Sequence, residues 1–69
     1  MLDEFIPQIE DLQSQGAVIL VKWDGEREVN RRTVVISRNE TGYVFRRDSD
    51  NIQAGLTEAL ADYSAKHRR

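Results

Sequence analysis

Lys22, Trp23, Arg31, Arg32, Arg46 and Arg47 are the residues of this chain whose types and spacing could do chemistry. Guanidinium groups bind phosphates and carboxylates through paired N–H donors, and an indole offers a face for stacking. Such a set could hold a phosphate, a nucleic-acid strand or an acidic protein segment. Acidic residues lie close to all of them in the sequence: Asp24, Glu26, Glu28 and Asp48. Exposed ion pairs of that kind are common and add little stability. They can neutralise the cluster without any ligand.

Other chemistry is poorly supplied. His67 is the only histidine and falls in the C-terminal tail. A general base needs a fixed position and an orienting partner, and a fraying tail supplies neither. Glu10 and Asp11, and Asp48 and Asp50, are paired carboxylates by sequence, but they sit where helix caps and polar faces are expected. Ser14, Ser37, Ser49 and Ser64 have no nearby histidine to activate them. Gly16, Gly25, Gly42 and Gly55 are scattered, and Asp24-Gly25-Glu26 is an acidic turn, not a phosphate cradle. The chain has no cysteine, which excludes disulfides and a thiolate zinc site. The expectation is therefore no catalytic residue, no metal site and no cofactor: a chain that is not an enzyme.

The overall balance points the same way. A net charge of -2 gives no general reason to bind nucleic acid. No apolar run approaches the roughly 20 residues of a membrane span. The N-terminus lacks a basic region followed by an apolar one, so no secretory signal is expected. Absence of cysteine suits a reducing compartment, so the expected location is the cytoplasm, away from membranes. At 69 residues the chain is read as one domain. Domains this small bury only about 60% of their unfolded surface and gain from association.

The elements that would position the charged residues come next. Ala17 to Trp23, Arg32 to Arg38 and Tyr43 to Arg47 are rich in β-branched and aromatic residues and read as three strands. Asn39 to Gly42 is a polar turn ending in glycine, so the last two strands form a hairpin. The Asp24 to Arg31 connection is longer and charged, and reads as a mobile loop or a strand extension. A four-residue turn sets Arg38 opposite Tyr43, Ile36 opposite Phe45 and Val34 opposite Arg47. Because side chains alternate, Val34, Ile36, Tyr43 and Phe45 share one face. Ile19, Val21 and Trp23 beside them complete the predicted core face. The opposite face carries Val18, Leu20, Lys22, Thr33, Val35, Ser37, Val44 and Arg46.

Two amphipathic segments flank the strands. Leu2, Phe5, Ile6, Ile9 and Leu12 recur at helical spacing, with Asp3 a possible cap and Gly16 a natural terminator. Pro7 is tolerable only in a first turn, so the regular helix should begin at Ile6 or Pro7. Ile52, Leu56, Ala59, Leu60 and Tyr63 form a second stripe, preceded by possible caps in Asp48-Ser49-Asp50-Asn51. Gly55 lies on that stripe and implies close approach to the sheet.

Each helix has one apolar stripe, so both should cover the same sheet face. The predicted fold is α+β, helix–three-stranded antiparallel sheet–helix (αβββα), in two layers. That order resembles the double-stranded-RNA-binding domains, in element order alone. Those domains open their second helix with lysines at the RNA phosphates. Here Asp48, Asp50 and Asn51 stand at that start, followed by Glu58 and Asp62, and like charges would meet.

One face of the predicted sheet is left without a cover. Val18, Leu20, Val35 and Val44 form an apolar patch on it, rimmed by Lys22, Thr33, Ser37 and Arg46. A contiguous apolar patch with a polar rim marks an association surface, although valines on a solvated sheet also satisfy β propensity. The leading expectation is a protein-binding or adaptor module, homodimeric through this face or bound to another protein. Nucleic-acid or phosphate binding at the arginine end is the alternative.

Overall fold

The structure is a computed structural model that describes residues 2–67. Its order is α1 (Ile6–Ser14), β1 (Val18–Trp23), β2 (Arg32–Arg38), β3 (Tyr43–Ser49) and α2 (Ile52–Lys66), with 3-10 turns at Leu2–Phe5 and Asn39–Thr41. The strands form one antiparallel sheet in the order β1-β2-β3. Both helices pack on it, and the α+β class and helix-β-β-β-helix order are as the sequence predicts.

Local sequence explains most boundaries. Pro7 falls in the first turn of α1, where its missing N–H costs nothing. The end of α1 is set by Gly16 at φ +92°. There the Gly16 N–H donates to the Gln13 carbonyl and the Ala17 N–H to the Leu12 carbonyl. Leu12 and Ala17 are both buried, so the apolar contact of a Schellman end is present as well. Asn51 caps α2 by accepting from the Ala54 N–H at 3.1 Å. Gly42 at φ +70° closes the hairpin, and Arg38 pairs with Tyr43, Ile36 with Phe45 and Val34 with Arg47. The predicted register is the observed one.

The core lies between the helices and one sheet face. Phe5, Leu12, Val34, Ile36, Leu56, Ala59, Leu60 and Tyr63 are buried there, with Ile9, Ile19, Val21, Tyr43, Phe45 and Ile52 packed around them. Burying a side chain such as Ile36 or Leu56 contributes about 1.5–3 kcal/mol. A Cβ placed on Gly55 would sit 3.4 Å from Val34 Cγ2, so α2 does approach the sheet closely at that turn.

Four details differ from the sequence reading. Trp23 is not in the core: it is 56% exposed, on the last rung beside Arg32, one rung beyond the packed pair Val21 and Val34. Ile6 lies on the edge of its stripe and is exposed. Phe5, not Asp3, occupies the N-cap of α1, and no side chain caps it. Strand β3 runs on through Asp48 and Ser49, because they pair with Thr33 and Arg32. The Asp24 to Arg31 connection extends the β1-β2 ladder by one bond, from the Asp24 N–H to the Arg31 carbonyl at 2.7 Å.

Candidate functional site

The register arranges the uncovered face into three rows across the sheet. Val18, Ser37 and Val44 form one row. Leu20, Val35 and Arg46 form the next, and Lys22, Thr33 and Asp48 the third. Val18, Leu20 and Val44 are 63%, 55% and 71% exposed, around a half-buried Val35. The four predicted interface residues are therefore contiguous. They keep apolar surface in water that neither helix covers.

The charged row is tightly wired. Thr33 is only 5% exposed although it faces away from the helices. Its hydroxyl donates to Asp48 Oδ1 at 2.6 Å. Arg46 Nη2 lies 3.4 Å from the same oxygen, and Arg27 Nη1 reaches it from the β1-β2 loop at 3.6 Å. Asp48 is held below the usual carboxylate range, first by the Thr33 hydrogen bond and then by the charges of Arg46 and Arg27. Lys22, across the same row, lies 3.9 Å from Asp24. Reading the sequence by strands missed Arg27 and Asp48 as members of this face. Arg27 belongs to a loop without periodicity, and Asp48 is indistinguishable from a helix cap until β3 is seen to include it.

The arginine set is not gathered at one end of the sheet: because β3 runs on to Ser49, Arg46 and Arg47 lie mid-strand opposite Val35 and Val34, while Arg31 and Arg32 stand at the end beside Trp23. Arg46 and Arg47 are successive in β3, so they point to opposite faces. Arg47 Nε pairs with Glu58 of α2 at 3.4 Å, on the helix side. Arg32 Nη1 donates to the Asp50 carbonyl at 3.0 Å, beside a hollow of about 350 Å³ lined by Leu2, Asp50 and Asn51. Arg31 donates through its backbone N–H to Asp50 Oδ1 and through Nε to the Asp24 carbonyl. Trp23 is exposed at the same end. Each of these cations therefore has a carboxylate or carbonyl partner, and they do not converge on one point.

A second polar cluster, not foreseen from the sequence, stands at the other end. His67 packs against its neighbours: its ring stacks on Tyr63 with centroids 3.9 Å apart, and Tyr43 meets both edge-on. His67 Nδ1 lies 2.9 Å from the Tyr63 carbonyl, which can only accept, so Nδ1 carries the proton there. Nε2 faces the Thr41 hydroxyl at 3.0 Å. The Tyr43 hydroxyl donates to Asp62 at 2.6 Å, and the Tyr63 hydroxyl to Gln15 at 3.0 Å. Burial, and then the bond to Asp62, push the Tyr43 phenol well above its ordinary range. The same bond, with Lys66, holds Asp62 low. These groups satisfy one another and tie α2 to the hairpin and to the end of α1.

Among the described residues no group of histidine, aspartate or glutamate has metal-binding geometry, and no helix is long and apolar enough to cross a membrane. Compared with protein-family models, with curated proteins and with solved structures, the chain finds no match.

Proposed function

We propose that this chain is a small protein-binding module of adaptor type, which docks through the uncovered face of its sheet. The observation that carries the reading is the exposure of Val18, Leu20 and Val44 around Val35, in paired rows that no element of the fold covers. An apolar patch of this kind, bordered by charged and hydroxyl side chains, fits a protein surface. Self-association is the simplest use of it in so small a domain. The reading includes action in the cytoplasm, where a chain without cysteine needs no oxidising environment. Anion binding by the arginines is less well supported, since the guanidinium groups of Arg31, Arg32, Arg46 and Arg47 would first have to leave their present partners.

The test is a photo-reactive side chain at Leu20, with one at Glu10 on α1 as control, introduced in the cells that make the protein. Position 20 should give discrete protein adducts, to another copy or to a different chain, and position 10 should not. An adduct pattern equal at both positions, or none at position 20, would sink the docking reading.

A further inference from the structure

We propose that the occupant of the uncovered face is a second copy of this chain, seated on it about a two-fold axis that runs along β2. The proposal rests on the docking reading above and adds the partner and its orientation. The argument comes from the three rows. Rotation about an axis parallel to the strands keeps each row level and exchanges the two edge strands. Val18 then meets Val44 of the other copy, twice. Val35 meets Val35, and Leu20 lies on the aliphatic stem of Arg46. Lys22 meets Asp48 of the other copy, again twice, and shares that carboxylate with the Arg27 and Arg46 of the copy that carries it.

The other face-to-face two-fold, with its axis across the strands, fails on the same rows. It stacks Arg46 on Arg46, sets Val18 against Lys22 and sets Val44 against Asp48. Like charges then meet and valines are buried against ions, which is unfavourable on both counts.

Sheet twist does not spoil the first arrangement. Facing sheets pack with strands about 30° apart, and neighbouring strands are about 4.8 Å apart. The resulting slip at an edge strand is about 2.5 Å, well under the two-residue repeat of about 6.8 Å. Each residue therefore still faces its predicted partner.

Size sets the strength. Three strands by three rows give a footprint of roughly 300 Å², or on the order of 500 Å² of accessible surface per copy once side-chain relief is counted. Doubled, that is about 1,000 Å², at the lower edge of specific interfaces. The dimer should be reversible and should dissociate on dilution.

The chain has no native cysteine, so single introduced thiols report the orientation directly. Val35→Cys lies at the axis in either two-fold arrangement. Ser37→Cys lies on the axis only when it runs along β2, because the crossed arrangement sets Ser37 over Thr33. Both variants, purified as the full chain and checked for native circular dichroism, should form disulfide-linked dimers on mild oxidation. Mixing Val18→Cys with Val44→Cys should give the mixed dimer faster than mixing Val18→Cys with Lys22→Cys. Sedimentation equilibrium should show Lys22→Glu weakening the dimer about tenfold. Cross-linking of Val35→Cys without Ser37→Cys would overturn the axis. A chain that stays monomeric at millimolar concentration and cross-links at neither position would overturn the second copy as occupant. In that case an adduct from position 20 to a different protein would still uphold docking, so the two failures are distinguishable.

Discussion

Val34 and Ile36 lie under α2 with almost no exposed surface, while Val35, between them in the chain, stays half-buried on the far side of the same strand. The side chains are alike, and the environments are not. On the helix side the apolar groups interlock with Leu56, Ala59 and Tyr63. On the far side no helix covers them, and Val18, Leu20 and Val44 stay exposed. Residue type therefore does not say which face is the core. What decides it is the two helical stripes, which can cover only one side.

The largest expected effect separates the two faces by stability. Ile36→Ala should cost about 2–5 kcal/mol, because a fully buried side chain leaves a cavity that its packed neighbours cannot fill. Val35→Ala should cost less than about 1 kcal/mol, mainly in β propensity. Urea unfolding of both variants measures the contrast, with Ile36→Val (about 0.5–1.5 kcal/mol) as a milder version should Ile36→Ala not fold. Equal losses at positions 35 and 36 would mean that the far face is packed too, and the comparison would break.

How much of this was legible in the sequence follows from the same contrast. The hairpin register could be read because Gly42 closes a short turn and alternation does the rest. The covered face could be read because Ile9 and Leu12, and Leu56 and Tyr63, recur at helical spacing. Trp23 was misplaced because alternation assigns a face but not how far along the strand the helices reach. The wiring of Asp48 to Thr33 and Arg27 was not legible, since it depends on β3 continuing past Arg47 and on where a charged loop comes to rest. Nor was the contact of His67 with Tyr43 and Thr41: it joins the end of α2 to a hairpin whose distance no local pattern records.

The second expected effect concerns pH, and it contrasts the two polar clusters. Asp48 on the open face and Asp62 on the helix side both have carboxyls held below the ordinary value of about 3.9. A lowered folded-state pKa contributes stability that is present above the unfolded value and is lost as pH falls through the folded one. Both groups should therefore matter above about pH 4 and cease to matter in stronger acid. At the other extreme the signs reverse. The raised Tyr43 phenol keeps its proton in the folded state while the unfolded chain ionises near pH 10. Stability should then fall as pH rises past about 10, and Tyr43→Phe should flatten that alkaline limb. Asp48→Asn should alter only the acid limb. Thermal unfolding against pH measures both, and an alkaline limb unchanged in Tyr43→Phe would remove the assignment.

The smallest effect is the sharpest on the two faces, because it uses adjacent residues of one strand. Arg47 pairs with Glu58 on the helix side, with both side chains about half exposed, and a double-mutant cycle should find about 0.5 kcal/mol or less. Arg46, on the open side, makes an equally long contact with Asp48, and Arg46→Ala should likewise move stability by no more than about 0.5 kcal/mol. By stability the two substitutions are indistinguishable. By association they are not. Arg46 contributes the stem on which Leu20 of a second copy would rest, whereas Arg47 lies behind the sheet. Sedimentation equilibrium should therefore show a weaker dimer for Arg46→Ala and an unchanged one for Arg47→Ala. Equal shifts would mean that Arg46 does not act through the open face, and the face-to-face arrangement would fail.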